Sequence, residues 1–197
     1  VRRVVFASSS AVYGDEPTLP KREEMPPKPL SPYAVQKLAV EHYLRVYNDL
    51  FGLESAALRF FNVFGPRQDP SSPYSGVISI FMARALDGTP PMIHGDGSQT
   101  RDFVYVGDVV RALIAAVGSP SARGRVFNVG TGRGVSIRRL WDVIAQLSGA
   151  ASEAAYGLKR PGDVPHSVSA IDAAREALNY APRVGFEQGL GLTLDWF

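Results

Sequence analysis

The sequence predicts an α/β protein that is built on a parallel β-sheet. One observation is a set of short, almost wholly apolar runs, beginning with residues 3–7. Strands that are buried on both faces of a parallel sheet have this pattern, without the alternation of half-exposed strands. The other observation is that such runs alternate with segments of helical length, which supply the crossover connections that parallel strands require.

The composition limits the classes of function. The 197 residues are 45% hydrophobic and 20% charged, which suits one sizeable core, and the absence of cysteine excludes disulfide bonds and thiolate chemistry. His42, His94 and His166 lie far apart without the spacing of metal ligands, so we expect no metal site. A net charge of +2 argues against nucleic-acid binding, and no apolar run is long enough for a membrane span. With no visible signal peptide, we expect a cytoplasmic protein.

The first predicted strand ends in a turn rich in hydroxyl groups. Ser8, Ser9 and Ser10 follow residues 3–7 directly. Ligands of parallel sheets bind outside the carboxyl ends of the strands, so these serines are candidates for hydrogen bonds to a substrate oxygen. The alternative interpretation is a serine-rich turn without further function. A proline-rich surface loop, residues 15–29, follows.

Residues 32–51 are predicted to form a long helix, capped by Ser31 and ended by Gly52. Tyr33 and Lys37 lie four residues apart and therefore share one face of this helix. An ammonium group beside a phenol lowers the pKa of the phenol, which can then accept a proton from a sugar or alcohol hydroxyl near neutral pH. The alternative is a surface tyrosine and lysine that are neighbours by chance.

The same helix carries apolar residues on two sides. A helix with two apolar stripes is either deeply buried or shared with a partner subunit, and we favour a homodimer that forms through residues 32–51. The two stripes are Tyr33, Lys37, Val40 and Leu44, and Val35, Ala39, His42 and Val46.

The rest of the chain continues the alternation of strands and helices. An Asp96-Gly97 pair predicts a hairpin between strands 91–95 and 100–106, and Asp108 is a plausible cap for a helix over 109–117. A glycine-rich turn at 130–134 lacks the Gly-Lys-Ser/Thr signature of a phosphate loop, so we interpret it as a structural turn. The remaining expected strands are 54–61, 126–129 and 154–156, and the remaining helices are 77–86, 137–147 (capped by Ser136), 172–178 and 186–197.

Five motifs follow one another along the chain. They are Ser8-Ser9-Ser10-Ala11-Val12-Tyr13-Gly14; Ser31-Pro32-Tyr33 with Lys37; Leu58-Arg59-Phe60-Phe61-Asn62-Val63-Phe64-Gly65-Pro66; Gly95-Asp96-Gly97 with Arg101-Asp102-Phe103; and Arg160-Pro161-Gly162-Asp163. Taken in this order, they resemble the motifs of the extended short-chain dehydrogenases/reductases, the NAD-dependent epimerase/dehydratase family.

The resemblance implies the carboxyl-terminal part of a Rossmann-type parallel sheet with a smaller mixed α/β substrate-binding domain. Residues 1–62, with returning segments near 102–130, would belong to the NAD-binding domain, and residues 63–197 mainly to the domain that binds the sugar nucleotide. The family's Gly-x-x-Gly-x-x-Gly turn does not precede Val1. We therefore expect on the order of a hundred further residues upstream in the family's arrangement.

The resemblance also implies a reaction, the NAD-dependent epimerisation of a UDP-hexose at C4 through a 4-keto intermediate. Ser9 would be the catalytic serine, with Ser10 as the second choice and a substrate contact. Tyr33 would accept the proton of the 4-hydroxyl. Lys37 would hold the nicotinamide ribose, and Phe61 would lie beside the nicotinamide. NAD would be a bound cofactor that is regenerated in each cycle.

Further family positions imply the contacts of the nucleotide sugar. Guanidinium groups suit phosphate oxygens, although each residue taken singly has an alternative as core or solvated charge. The implied contacts are Asn62, Arg101 and Arg160 for the diphosphate; Asp163 for the ribose; Gly76, Val77 and the strand Met92–His94, with His94, for the uracil; and Ser167 as the residue that admits or excludes an N-acetyl group.

Three alternatives remain. The related dehydratases and decarboxylases carry an acidic residue where this chain has Ser10 and Ala11, which favours an epimerase. A sugar-nucleotide reductase and a 4-epimerase of UDP-glucuronate are other enzymes of the family. The third alternative is an inactive fragment that cannot bind NAD alone, in which a sheet without its first strands would expose an edge.

Overall fold

The computed structural model describes residues 1–71, 76–160 and 164–197. Helices and strands alternate along these residues, as the sequence predicts. The strands are β1 Arg3–Ser9, β2 Glu54–Phe60, β3 Asn62–Phe64, β4 Met92–His94, β5 Thr100–Arg101, β6 Phe103–Tyr105, β7 Arg125–Val129, β8 Val135–Ser136, β9 Ala155–Gly157 and β10 His166–Ser167. The helices are α1 Pro32–Phe51, α2 Val77–Leu86, α3 Val106–Gly118, α4 Ile137–Ser148, α5 Asp172–Leu178 and α6 Phe186–Leu194.

The main sheet is parallel and has the order β1-β2-β7. Its register places Ser9, Phe60 and Val129 side by side, so the carboxyl ends of all three strands meet at one edge. This confirms the α/β class. Strand β1 is only half-buried, however, whereas the sequence indicated burial on both faces. The reason is that, within the described residues, β1 pairs on one side only, with β2.

One face of this sheet packs against an apolar core, and the other face carries a buried ion pair. Leu58 of β2 and Phe127 of β7 belong to an apolar core that also includes Ala112 of α3 and Ala174 of α5. The next residue of β2, Arg59, projects to the opposite face and binds a side chain of α1. Because successive strand residues point to opposite faces, one strand joins an apolar layer to a polar one.

A second apolar core lies among α2, α4 and α6. Phe81 of α2 and Trp141 of α4 pack edge to face, with their ring centroids 5.9 Å apart. Phe64 of β3 packs in the same way against Phe103 and Phe186. This core supports the short strands β3 to β6 that carry several predicted site residues.

The bounds of α1 match the prediction, since local residues set them. The Ser31 hydroxyl accepts a hydrogen bond from the Ala34 amide at 3.2 Å, and Pro32 occupies the first helical position. Gly52 ends the helix in the left-handed conformation, with φ of +67°. Start and stop signals therefore suffice to define the helix that carries Tyr33 and Lys37.

The predicted hairpin at Asp96-Gly97 is wrong. Strand β4 pairs in parallel with β9, while β5 pairs with β8 and β10 and β6 pairs with β3. The Asp96 carboxylate accepts from the amide and hydroxyl of Ser98, which makes a local turn, and the expected return strand divides at Asp102. The turn at Asp96-Gly97 is present, but the strands before and after it pair with different strands from distant parts of the chain.

The predicted cap of α3 is also wrong. The helix begins at Val106, so Asp108 lies within the first turn and is fully buried. Its carboxylate accepts from the backbone amides of Arg183 and Val184, at 2.8 and 3.2 Å, and pairs with Arg111. Asp108 therefore fastens the closing segment of the chain to α3.

A buried ion pair joins α1 to the sheet. Arg59 donates to both oxygens of Glu41, from Nε at 3.0 Å and from Nη2 at 2.7 Å, and both side chains are about 95% buried (4% and 5% exposed). The Ser8 hydroxyl donates to the same carboxylate. The Arg59 guanidinium also lies 4.8 Å from the ring centroid of Tyr13, whose pKa is raised to about 12 by burial. The pair thus connects β1, β2, the turn after β1 and α1.

We predict that Glu41→Gln lowers the free energy of unfolding by about 3 kcal/mol, since it leaves the buried Arg59 guanidinium without its counter-charge. Urea unfolding followed by circular dichroism measures the change. Glu187→Gln is the matched control, because Glu187 forms an ion pair with Arg139 at 3.3 Å in which both side chains are exposed. The control should change stability by less than about 1 kcal/mol. Equal small losses in both variants would contradict a structural role for the buried pair.

Candidate active site

An open cleft of about 430 Å³ lies at the carboxyl ends of β1 and β2. Residues from separate parts of the sequence meet in its wall. Six of the predicted site residues are among them, namely Ser9, Ser10, Phe61, Asn62, Arg101 and Ser167. These six positions thus line one cleft, and their roles stay predictions.

Local geometry explains the first part of this wall. Ser9 is the last residue of β1, and its hydroxyl accepts from the Ala11 amide at 3.2 Å to start a short 3₁₀ turn. The sheet register sets Ser9 beside Phe60, so Phe61 and Asn62 follow at the neighbouring strand end. Ser9 both caps the turn and lines the cleft, so the structural and functional interpretations of the serines are compatible.

Tyr33 and Lys37 are neighbours, as helical spacing predicts. The Lys37 ammonium lies 5.5 Å from the ring centroid of Tyr33 and donates to the Ala7 carbonyl oxygen at 2.8 Å. Ala7 precedes Ser9 by two residues on β1, and Ser31, two residues before Tyr33, lines the cleft. The Tyr33 side chain is about half exposed. Lys37 therefore places a positive charge between the phenol and the end of β1.

Arg101 brings positive charge to the other side of the cleft. Strands β5 and β10 are in a register that sets Ser167 opposite Arg101. The Arg101 guanidinium donates to the Thr100 carbonyl at 2.9 Å and to the Pro165 carbonyl at 3.4 Å. A guanidinium held at the rim of a cleft suits the oxygens of a diphosphate.

Other predicted residues lie outside this cleft. His94 lines an adjoining cavity of about 220 Å³ together with Lys159 and His166, and its Nδ1 is 3.2 Å from the Leu158 carbonyl oxygen. The two cavities are neighbours, because His166 and Ser167 are successive residues of β10 that face one each.

Five other predicted residues within the described part of the chain line neither cavity: Tyr33 and Lys37, whose positions are given above, and Gly76, Val77 and Arg160. Gly76 and Val77 lie at the start of α2, where the Gly76 carbonyl accepts from the Ser79 hydroxyl at 2.9 Å. Arg160 is exposed in the loop after β9. Asp163 lies outside the described residues.

Sequence reasoning missed Lys21, which lines the cleft. Its backbone is tied to the segment that follows β10, since the Lys21 amide donates to the Val168 carbonyl and the Lys21 carbonyl accepts from the Ala170 amide. The side chain is buried and donates to the Glu16 carbonyl, and burial lowers the pKa of its ammonium. A lysine in a proline-rich, charged loop gives no sequence signal of burial.

The glycine-rich turn after β7 has an internal partner. The amides of Thr131 and Gly132 donate to the carboxylate of Asp102, at 2.8 and 3.0 Å. These amides face a protein carboxylate, in keeping with the interpretation of residues 130–134 as a structural turn.

The chemistry of the site follows from these groups. Ser9, Ser10 and Tyr33 offer hydroxyls, and Lys37 and Arg101 offer cations, which together can exchange a proton with a sugar hydroxyl and hold phosphate oxygens. Among the described residues, no group of three or more His, Asp or Glu side chains is placed to hold a metal ion. In the same residues, no helix has the length and apolarity of a membrane span.

Comparison with known proteins places the fold and the motifs in one family. The model of the "NAD dependent epimerase/dehydratase family" matches residues 1–130. UDP-glucose 4-epimerase of Mycolicibacterium smegmatis is 43% identical over 198 residues, which cover all of this chain and 63% of the relative. The chain thus spans about 63% of the length of that curated relative.

Two solved structures agree with this placement. UDP-N-acetylglucosamine 4-epimerase from Methanobrevibacter ruminantium, in complex with UDP-N-acetylmuramic acid, has a TM-score of 0.96 and 41% identity, covering 100% of this chain and 63% of that one. UDP-glucose 4-epimerase of Thermus thermophilus, in complex with NAD, has a TM-score of 0.90 and 41% identity, covering 100% and 64%. With more than half of its residues matched by the family model and its fold shared with these enzymes, the chain belongs to the NAD dependent epimerase/dehydratase family.

Proposed function

We propose that this chain carries the proton-transferring and nucleotide-sugar-binding residues of an NAD-dependent UDP-hexose 4-epimerase. The observation that carries the proposal is the arrangement at the ends of β1 and β2. There Ser9 and Arg101 line one cleft, and the Tyr33–Lys37 pair is held beside β1 by the Ala7 carbonyl. Relatives that are named UDP-sugar 4-epimerases support the assignment.

The residues present fit one end of NAD. The Lys37 ammonium and the Tyr33 hydroxyl form a donor set that suits the hydroxyls of a nicotinamide ribose, and the buried ring of Phe61 offers an apolar surface in the cleft wall. NAD held there would supply a reversible hydride acceptor for C4 of the sugar, so that the hydride could return to the other face of C4. The family's glycine-rich turn for the pyrophosphate does not occur in these 197 residues.

Side chains of this chain carry out the proton transfer and bind the substrate. The Tyr33 phenolate accepts the proton of the 4-hydroxyl and becomes a neutral phenol, and the Lys37 ammonium stabilises the phenolate before this transfer. The Ser9 hydroxyl donates to the sugar oxygen as the 4-keto sugar forms. Arg101 and Asn62 hold the diphosphate, so the sugar turns over while the nucleotide stays in place.

The side chains near Ser9 favour epimerisation over elimination. Ser10 and Ala11 occupy the positions where dehydratases of the family carry an acid, so no carboxyl group is present there to protonate a leaving hydroxyl. Product analysis with UDP-glucose, UDP-N-acetylglucosamine and UDP-glucuronate separates a 4-epimerase from a reductase and from an epimerase that is specific for uronates.

A second candidate is a polypeptide that binds a nucleotide sugar without turnover, since the family's glycine-rich pyrophosphate turn does not occur among these 197 residues. Calorimetry with NAD on this chain distinguishes the two. Micromolar binding of NAD contradicts the fragment interpretation, whereas binding of UDP without NAD supports it.

We predict that Tyr33→Phe lowers the rate of conversion of UDP-glucose to UDP-galactose by on the order of 100-fold or more, because the proton acceptor is lost. The affinity for UDP-glucose should stay the same. The assay uses this chain with NAD and a chimera in which the amino-terminal part of the Mycolicibacterium smegmatis relative precedes Val1. Tyr43→Phe is the matched control, since Tyr43 is an exposed tyrosine of the same helix. Full activity of the Tyr33→Phe chimera would refute the proton-transfer role.

We also propose that the enzyme accepts N-acetylated sugars, because Ser167 is small and lines the cleft. Ser167→Tyr should abolish turnover of UDP-N-acetylglucosamine and retain turnover of UDP-glucose, since the larger side chain occupies the space of the acetyl group. Steady-state rates of the chimera with both sugars measure this. Ser167→Ala is the control and should retain both activities. An equal loss for both sugars would refute the size gate.

The proposed partner is a second copy of the chain, which would bind through α1. The outer face of this helix exposes a row of large apolar side chains, which a soluble monomer rarely presents. The row consists of Val35, Tyr43, Val46, Tyr47, Leu50 and Phe51.

We predict that Leu50→Glu combined with Phe51→Glu converts the dimer to a monomer, because two charges cannot be buried unpaired in an apolar interface. Sedimentation equilibrium measures the mass. Asp49→Asn, a change of a polar residue on the same helix, should leave the dimer intact. A wild-type chain that sediments as a monomer at all concentrations would contradict the proposal.

A further inference from the structure

We propose that Asp102 is a positioning residue for the phosphate-binding side of the cleft, acting through Arg101, Asn62 and Ser167. The inference rests on the proposed function, since it assumes that this side of the cleft binds a nucleoside diphosphate. Asp102 itself does not line the cleft. Its side chain is fully buried behind it.

The Asp102 carboxylate collects hydrogen bonds from two other segments. From the turn after β7, the amide and hydroxyl of Thr131 donate to Oδ1 at 2.8 and 2.6 Å, and the Gly132 amide donates to Oδ2 at 3.0 Å. From the segment after β10, the amide and hydroxyl of Ser169 donate to Oδ2 at 3.1 and 2.5 Å. One carboxylate therefore fixes two otherwise separate backbone segments against each other.

The main chain at Asp102 leads directly to the cleft. The Asp102 carbonyl accepts from the Asn62 amide at 2.9 Å, which fixes the neighbouring strand end. Arg101 is the preceding residue, and Ser167, two residues before Ser169, is in register with Arg101. All three cleft residues are thus closely connected to the Asp102 junction. Arg101 is adjacent to Asp102, Ser167 lies two residues before Ser169, and Asn62 is joined by one backbone hydrogen bond.

The packing at this junction leaves no space for adjustment. A Cβ atom on Gly130 would lie 2.7 Å from Asp102 Oδ2 and would also collide with the Ser169 hydroxyl. The glycine allows the turn to approach the carboxylate closely. The division of the expected return strand at Asp102 has the same origin, because the residue turns its side chain inward to this junction, between β5 and β6.

These donors are satisfied only when both side-chain oxygens of residue 102 can accept hydrogen bonds. In Asp102→Asn, one oxygen becomes an NH₂ group that faces either the two Thr131 donors or the amides of Gly132 and Ser169. In either orientation, the NH₂ group of the asparagine faces backbone amides that also donate. We therefore expect the turn after β7 and the segment after β10 to separate, and Arg101 and Ser167 to lose their register. The change in side-chain volume is negligible.

The test is calorimetric binding of UDP to this chain and its variants. We expect Asp102→Asn to weaken UDP binding by roughly ten-fold or more, the effect of losing hydrogen bonds to a charged group. Glu41→Gln is the matched control, because Glu41 is another buried carboxylate whose loss destabilises the fold away from this side of the cleft. It should leave UDP affinity unchanged.

A double-mutant cycle separates positioning from general damage. Because Arg101 is one of the three residues through which Asp102 acts, Asp102→Asn should weaken UDP binding less in the Arg101→Ala background than in the wild-type chain. Additive losses overturn the inference, as does an Asp102→Asn variant that binds UDP normally. Wild-type chain that does not bind UDP overturns the proposed function, and the inference with it. If Asp102→Asn does not fold, Thr131→Val and Ser169→Ala take its place in the cycle, each with an expected loss of roughly three-fold.

Discussion

The buried ion pair between Glu41 and Arg59 fixes the position of the helix on which the proposed chemistry depends. Glu41 lies four residues after Lys37 and eight after Tyr33, so all three share one stripe of α1. Bidentate hydrogen bonding from Arg59 fixes the distance of this stripe from β2 and the rotation of α1 about its axis. Desolvating two charges is unfavourable, and the Ser8 hydroxyl and the Tyr13 ring complete the surroundings that make it tolerable.

A second buried carboxylate organises the opposite side of the cleft by different means. Glu41 is neutralised by a cation, whereas Asp102 receives three backbone amides and two hydroxyls. An ion pair can join a helix to a strand, because long side chains span the distance between the layers. Amide donors can join only backbone segments that approach the carboxylate closely, which is why the second junction needs Gly130. In the proposed function, Glu41 thus supports the helix that carries the proton-transferring pair Tyr33 and Lys37, and Asp102 supports the cleft wall at Arg101.

The sequence predicted the features that local signals determine. Ser31, Pro32 and Gly52 define α1 without tertiary information, and the spacing of Tyr33 and Lys37 then follows from helix geometry. The gathering of Ser9 and Asn62 was predictable as well, since carboxyl ends of parallel strands share an edge. The predicted hairpin is wrong because Asp96-Gly97 specifies a turn but not the partners of the strands on either side of it. Those partners, β3, β8, β9 and β10, lie far from the turn in the sequence. The burial of Lys21 likewise depends on contacts with Val168 and Ala170 that no local pattern encodes.

The glycine-rich turn after β7 shows how sequence and structure share the specification of a site. Successive backbone amides in such a turn form a concave surface that attracts an anion, and this property is local. Which anion occupies it depends on the fold, and here Asp102 fills the place that a phosphate takes in a nucleotide-binding loop. Because the internal carboxylate is covalently attached next to Arg101, filling the turn also fixes the guanidinium at the rim of the cleft. In the proposed function, this turn therefore holds in place the arginine that is proposed to bind the diphosphate.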